Sequence, residues 1–308
     1  MRGVKRSASR GVLLVAAGIV GVATVATSYA QAQDVTSFAV PGAPRIDGIY
    51  IAPDGRMYGA GTFRGTEVYR IHDDGTHETI ASGLAGPVDL GMDAEGNLYS
   101  TNFNDGSVSR IAPDGTVHLH AEVPAGPAGI VVDSDGTAYV AHYGSGNGTG
   151  RSISRIAPDG TVSEFARSEE MVAPLGLARG GDGALYAADF YDGKVFRIED
   201  DGTLSLFAQV VLPGGRPARI GHISAGGGGL IATAGPANRL YMIDGEGNSR
   251  PLAGDGTASA VDGPLNAATF NHPNGLAEAP DGAVFVATAG NGPGDRSILR
   301  RITWRTLQ

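Results

Sequence analysis

The sequence contains no cysteine, a single tryptophan (Trp304), and no stretch in which apolar residues recur at helical spacing. Without cysteine there is no disulfide framework and no thiol nucleophile, so packing alone must hold the fold. A lone tryptophan outside any Trp-Asp pair excludes a WD repeat array. Basic clusters interleaved with aromatics are also missing, and the formal charge is −9. A surface of that sign repels a nucleic-acid backbone and excludes DNA or RNA as a partner. No Gly-rich phosphate loop and no Ser-His-Asp order is present.

What is present begins with a basic start (Arg2, Lys5, Arg6, Arg10), an apolar run over 11–26, and Tyr29-Ala30-Gln31-Ala32. This pattern predicts a secretory leader over 1–32 and an exported chain over 33–308, periplasmic or extracellular and not integral to a membrane. Removing the leader's four basic residues leaves 19 basic against 32 acidic residues, a charge of −13. Asn147-Gly148-Thr149 matches a glycosylation sequon, as a Gly-rich loop easily does by chance.

One phrase then recurs six times: a branched or aliphatic residue, a spacer, usually Arg, and Ile. It appears as Val68–Ile71, Val108–Ile111, Ile153–Ile156, Val195–Ile198, Leu240–Ile243 and Leu299–Ile302, with closing Ile residues 40, 45, 42, 45 and 59 positions apart. Such a period without helical pattern marks units that cannot bury their own cores singly. Each unit opens on Pro and Gly, runs through a short strand to an acidic-Gly turn, and continues into a second strand such as Leu98-Tyr99 or Leu185-Tyr186. The turn reads as type I′, with Asp and Gly tolerating positive φ. The Arg-Ile phrase is the third strand, and segments such as Ser205-Leu206-Phe207-Ala208 are the fourth.

The pattern predicts an all-β, six-bladed β-propeller of four-stranded antiparallel blades. The last unit lacks a fourth strand, and Thr36-Ser37-Phe38-Ala39 resembles the missing one. An N-terminal strand is therefore expected to complete the last blade and close the ring. Both acidic-Gly turns of a blade fall on one face. The loops at 143–152, 212–222, 254–272 and 289–297 fall on the other, the expected functional face.

Ala253-Gly254-Asp255-Gly256, Asp262-Gly263, Ala268, Phe270, Pro273, Gly275-Leu276, Asp281-Gly282 and Val286-Ala287 together resemble an NHL repeat. The whole exported chain resembles the six-bladed superfamily of gluconolactonases, regucalcin and strictosidine synthase-like proteins. Middle blades such as 104–111 look like streptogramin B lyase, a seven-bladed relative. The gluconolactonase resemblance implies a divalent cation such as calcium, held by acidic and Asn residues just before the Gly that opens each blade. Those positions here are Asp47, Val88, Ala128, Leu175, Ile220 and Asn274, so Asp47 and Asn274 are the candidate ligands, with Asp89 one residue late. Peptide-amidating NHL relatives place a zinc-binding His after the opening Pro, but Asn274 stands there.

A second ring lies three residues after the inner Tyr and includes Asn102, His142 and Asp189. His142 and Asp189 are the candidate base and orienter. Phe63, Phe103, Tyr143 and Phe190 follow on successive blades, a crescent suited to stacking on a flat ligand, and His222 flanks the mouth. Three functions remain open. The top face binds a small organic ligand, carbohydrate or partner protein; or it is a metal-dependent lactonase, ester hydrolase or lyase; or the propeller is a passive envelope scaffold.

Overall fold

A computed structural model describes residues 31–39, 45–145, 150–289 and 297–305. The expected leader, apart from Gln31 and Ala32, and the Asn147 sequon lie outside these residues. Five four-stranded antiparallel sheets and one five-stranded sheet make six blades. Each Arg-Ile phrase is the third strand of its blade, as in Glu67–Ile71, Ser107–Ile111 and Lys194–Ile198. The third-strand arginines pair outward, Arg70 with Glu78 (3.5 Å), Arg197 with Asp182 (3.3 Å) and Arg301 with Asp281 (2.5 Å), on exposed surface.

The ring closes as expected. Strand Gln31–Ala39 pairs antiparallel with Ile298–Arg305, from Gln31 opposite Arg305 to Ala39 opposite Ile298. The closing sheet also gains a fifth strand, Gly263–Pro264, which pairs with the outer side of Gln31–Ala39. That short strand comes from the long insertion at 254–272. Its neighbour Asp262 accepts the Ser37 amide (2.9 Å) and receives Arg300 (3.0 Å), whose side chain is 0% exposed and lies over the Phe270 ring (4.9 Å). The insertion thus blunts the edge that the closing strand would otherwise present.

The turns differ from type I′. In Asp133–Gly136, between the first and second strands, and in His72–Gly75, between the third and fourth, the Gly amide donates to the carbonyl three residues earlier (3.0 and 2.9 Å), and only the Gly (φ 83° and 81°), not the Asp before it, has positive φ. This is a type I turn closed by a left-handed Gly, the three-residue hairpin with a G1 bulge. Asp74 supports it by accepting the Thr76 amide (2.8 Å). The same arrangement recurs at Asp114, Asp159 and Asp201, whose pKa values are all lowered chiefly by these backbone bonds. These turns are structural.

The innermost strands surround a central channel with a cavity of about 230 Å³, lined in turn by residues of all six blades. Neighbouring inner strands approach closely because the opening Gly carries no side chain. A Cβ on Gly176, for example, would lie 2.7 Å from the Gly221 carbonyl oxygen. Between blades, aliphatic and aromatic side chains interleave, as where Tyr186, Val210, Ile223, Leu230 and Tyr241 meet. Each such buried side chain contributes about 1.5–3 kcal/mol.

Candidate functional site

Opposite the short turns, the second-to-third-strand loops and the blade openings converge on a cavity of about 310 Å³. Its wall is the aromatic crescent. Ring centroids run from Phe63 to Phe103 (6.4 Å), Phe103 to Tyr143 (6.2 Å) and Tyr143 to Phe190 (5.8 Å), a continuous ladder over four blades. The Tyr143 hydroxyl meets that of Tyr191 (2.9 Å), which braces the ladder from behind. Phe63 is 48% exposed and carries Arg64 over its ring (5.3 Å), while Arg219 lies over Tyr191 (5.5 Å). Val88, Ala128 and Leu175 make an apolar floor.

The floor turns polar on the remaining side. Asn274 donates a side-chain hydrogen bond to Asp47 Oδ1, and the Gly275 amide donates to the Asp47 carbonyl (2.8 Å). These bonds tie blade six to blade one at the closure. His222 does not flank the mouth as the sequence suggests but sits in its floor, 6% exposed. Its Nε2 lies 3.7 Å from Asp47 Oδ1 and its Nδ1 3.9 Å from Asp89 Oδ2. Asp89 Oδ2 in turn accepts the Ile130 amide (3.0 Å). His222 and Asp89 also line the channel cavity beneath, so they form the partition between mouth and channel.

Electrostatics follow from this burial. Desolvation pushes the Asp89 carboxyl up to about 6, although the His222 charge and the Ile130 amide pull it down. Burial opposes the charged imidazole of His222, yet its contact with Asp47 and the charges of Asp89 and Asp47 outweigh that, and its pKa is raised. A carboxyl whose pKa is raised by burial and an imidazole whose pKa is raised by its acidic neighbours, 3.9 Å apart at the base of a cleft, can act as a proton-transfer pair.

The structure brings together the first ring and the crescent, but not the second ring. Asn102 donates to Ser107 (2.9 Å) and Ser109 (2.8 Å) inside its own blade. His142 Nε2 bonds Ser154 Oγ (2.8 Å), and burial lowers its pKa to about 4. Asp189 accepts the amides of Val172 (2.6 Å), Ala173 (2.9 Å) and Tyr191 (3.2 Å). None of the three lines the mouth, and Asp189 and His142 share no hydrogen bond. Asp189 is a loop anchor. Asp189→Ala is expected to strand these amides, cost about 2–4 kcal/mol and lower the melting temperature by roughly 5–15 °C. Thermal denaturation checks this, and an unchanged midpoint would contradict the anchoring role.

Calcium does not fit the donors on view. Asp47 and Asn274 supply two oxygen-bearing side chains where calcium takes roughly six to eight oxygens. Across the floor His222 presents nitrogen, and Asp89 Oδ2 is engaged by Ile130. Among the described residues no cluster of three His, Asp or Glu side chains is arranged to hold a metal.

Comparison with known proteins adds a family match and a set of structural likenesses. The model of the family described as "Virginiamycin B lyase family" matches residues 22–294. Among solved structures, a catalytically inactive histidine variant of virginiamycin B lyase from Staphylococcus aureus with quinupristin has 17% identity and a TM-score of 0.61, covering 89% of this chain and 100% of that one. A gluconolactonase from Xanthomonas campestris has 16% identity and a TM-score of 0.64, over 89% and 95% of the two chains. An auxiliary nutrient binding protein from Bacteroides thetaiotaomicron has 14% identity and a TM-score of 0.69, over 90% and 78%. At these identities the likeness is one of fold. No curated protein matches the sequence.

Proposed function

Given that the chain belongs to the virginiamycin B lyase family, we propose that its top-face mouth binds a small organic ligand with a flat, apolar body. The carrying observation is the ladder of Phe63, Phe103, Tyr143 and Phe190 around one recess of about 310 Å³. A concave, mostly apolar pocket with a few polar groups on one side suits a small molecule better than a flat protein surface. The ligand's ring lies against the ladder, and its polar group points to Asp47, Asn274 and His222. The proposal includes export, supported by the basic start and the apolar run over 11–26.

The test is a thermal-shift screen of ring-bearing lactones, esters and aromatic alcohols, followed by titration of the compounds that raise the melting temperature. The paired change Phe103→Ala and Tyr143→Ala is expected to weaken their binding about a hundredfold. Both rings are only half-buried, so melting of the unliganded protein stays within a few degrees. Retained affinity would remove the ladder from the site. If no compound binds, the scaffold reading gains instead.

A second reading, that the mouth performs a lyase or lactonase reaction, is favoured by His222 between Asp47 and Asp89. The imidazole can take a proton from a ligand carbon or oxygen in its neutral form and return one in its charged form, with Asp89 holding the ring. Turnover of a cyclic ester that is lost in His222→Gln would support it. The donor set further implies that chelation leaves such turnover unchanged. Turnover that requires calcium would contradict that part.

A further inference from the structure

Beside the mouth lies a smaller cavity of about 160 Å³, which shares Asp47, Phe63 and Asn274 with it. Its remaining wall differs in chemistry. Where the mouth has aromatic rings, this pocket has Arg45, Thr62, His272 and Ser297. Ser297 is 1% exposed and its Oγ accepts the Ile46 amide (2.6 Å), so the hydroxyl proton remains to be given elsewhere. Thr62 Oγ1 likewise accepts the Arg64 amide (3.2 Å). Arg45 is exposed, and among the described residues no carboxylate lies within ion-pair distance of its guanidinium. The neighbouring His272 has its pKa lowered by burial and by Arg45, so near neutrality its ring presents one N–H. Its backbone is fixed at positive φ (51°), with its amide bonded to Asn238 Oδ1 (2.9 Å).

The pocket therefore gathers hydrogen-bond donors around a cation with no carboxylate partner among the described residues. Asp47, the acidic residue lining the pocket among the described residues, is already met by Asn274 and by His222. In a chain whose overall charge is −9, a guanidinium with no acidic partner among the described residues, beside a buried hydroxyl, is a local departure. Donors of this kind match the acceptor-only oxygens of a carboxylate, and guanidinium pairs with it in two-point geometry.

We propose that this side pocket is a carboxylate subsite, so that the ligand of the mouth is an amphiphilic organic acid. Its ring body lies on Phe103 and Tyr143, and its short anionic arm passes Asp47 and Asn274 to reach Arg45, Thr62 and Ser297. The inference rests on the mouth reading and adds the ligand's charge and shape to it.

The experiment titrates the exported chain with 2-naphthylacetate and with 2-naphthylacetamide, which match in size and differ in charge. The carboxylate is expected to bind about tenfold more tightly than the amide, a lead that shrinks as salt is raised. Arg45→Gln is expected to abolish that lead and leave amide binding unchanged, and Arg45→Lys to keep part of it. The Phe103→Ala and Tyr143→Ala pair is expected to weaken both probes alike. If both probes bind equally to the unaltered protein, or if Arg45→Gln preserves the carboxylate's lead, the subsite is overturned while the mouth stands. If neither probe binds, or if the aromatic pair leaves both affinities intact, the mouth reading falls and takes the subsite with it.

Discussion

Deleting Gln31–Ala39 should cost the propeller most of its stability, with the melting temperature lower by at least about 10–20 °C and aggregation on warming. The strand makes the whole outer ladder against Ile298–Arg305. Its Val35 is fully buried among Ile302, Phe270 and Leu240, a contribution of about 1.5–3 kcal/mol by itself. The Ser37 hydroxyl and amide both bond Asp262 (2.5 and 2.9 Å), the carboxylate that also holds buried Arg300. Losing these together removes upward of about 5 kcal/mol, comparable with the entire margin of many domains. The deletion also leaves the final strand as a bare edge that can pair with other chains. Val35→Asp is a milder version of the same experiment and should move the midpoint in the same direction. A deletion variant that melts within a few degrees of the unaltered protein would mean that the ring is not held by this strand.

His222→Ala should produce the second large effect, and its size should depend on pH. Removing the imidazole leaves Asp47 and Asp89 facing a buried gap without a counter-charge, at a cost of about 3–5 kcal/mol where the pair is charged. That corresponds to roughly 10–15 °C in the melting temperature. The sign follows from the two shifts. Asp89 is raised from 3.8 to about 6, so its stabilising protonated form is present below the ordinary value and is lost as pH climbs through 6. His222 is also raised, so its charged form contributes below the ordinary imidazole value and is lost above its folded one. The ion pair exists in the window above about pH 6, where Asp89 ionises, and below the raised pKa of His222. The difference between the unaltered protein and the variant should therefore be largest within that window and fall by half or more near about pH 4.5. A difference that stays flat across that range would reduce His222 to a packing residue.

The periodic part of the architecture was legible because the repeat supplies its own ruler. Once Val68–Ile71 and its five counterparts are aligned, the blade count, the third strands and the missing fourth strand follow, and Gln31–Ala39 fills the gap. The same ruler located the mouth, since Asp47, Val88, Ala128, Leu175 and Asn274 occupy one register and line one cavity. Turn type was not legible, because an Asp-Gly pair suits both a two-residue turn and a type I turn followed by left-handed Gly. The fifth strand Gly263–Pro264 was hidden for another reason: it lies in an insertion that follows no repeat.

Asn102, His142 and Asp189 show where register alone misleads. Each ends a second strand, Leu98–Asn102, Ala138–His142 and Leu185–Asp189, and each finds its partners in its own blade or the adjoining loop. Position along the chain puts them near the mouth, but the strand's alternation turns their side chains away from it. The Asp89–His222 contact escaped because it joins blades two and five across the channel, and no local pattern reports such a pairing. A signal did exist. Asp89 stands where the other blades have Gly48, Gly129, Gly176, Gly221 and Gly275, and His222 stands where they have Ile49, Leu90, Ile130, Leu177 and Leu276. The two departures from the repeat are the two residues that meet. A polar residue in place of a repeated Gly or aliphatic is a sharper site marker than a polar residue in a variable loop.

The most direct measurement is a crystal structure of residues 33–308 soaked with 6-bromo-2-naphthylacetate, with the bromine located by anomalous scattering. The expected bromine peak lies within the ladder of Phe63, Phe103, Tyr143 and Phe190, with the acid's oxygens toward Asn274 and Arg45. A peak confined to the acidic-Gly face or to the central channel, with the mouth left open, would contradict the assignment of function to this rim.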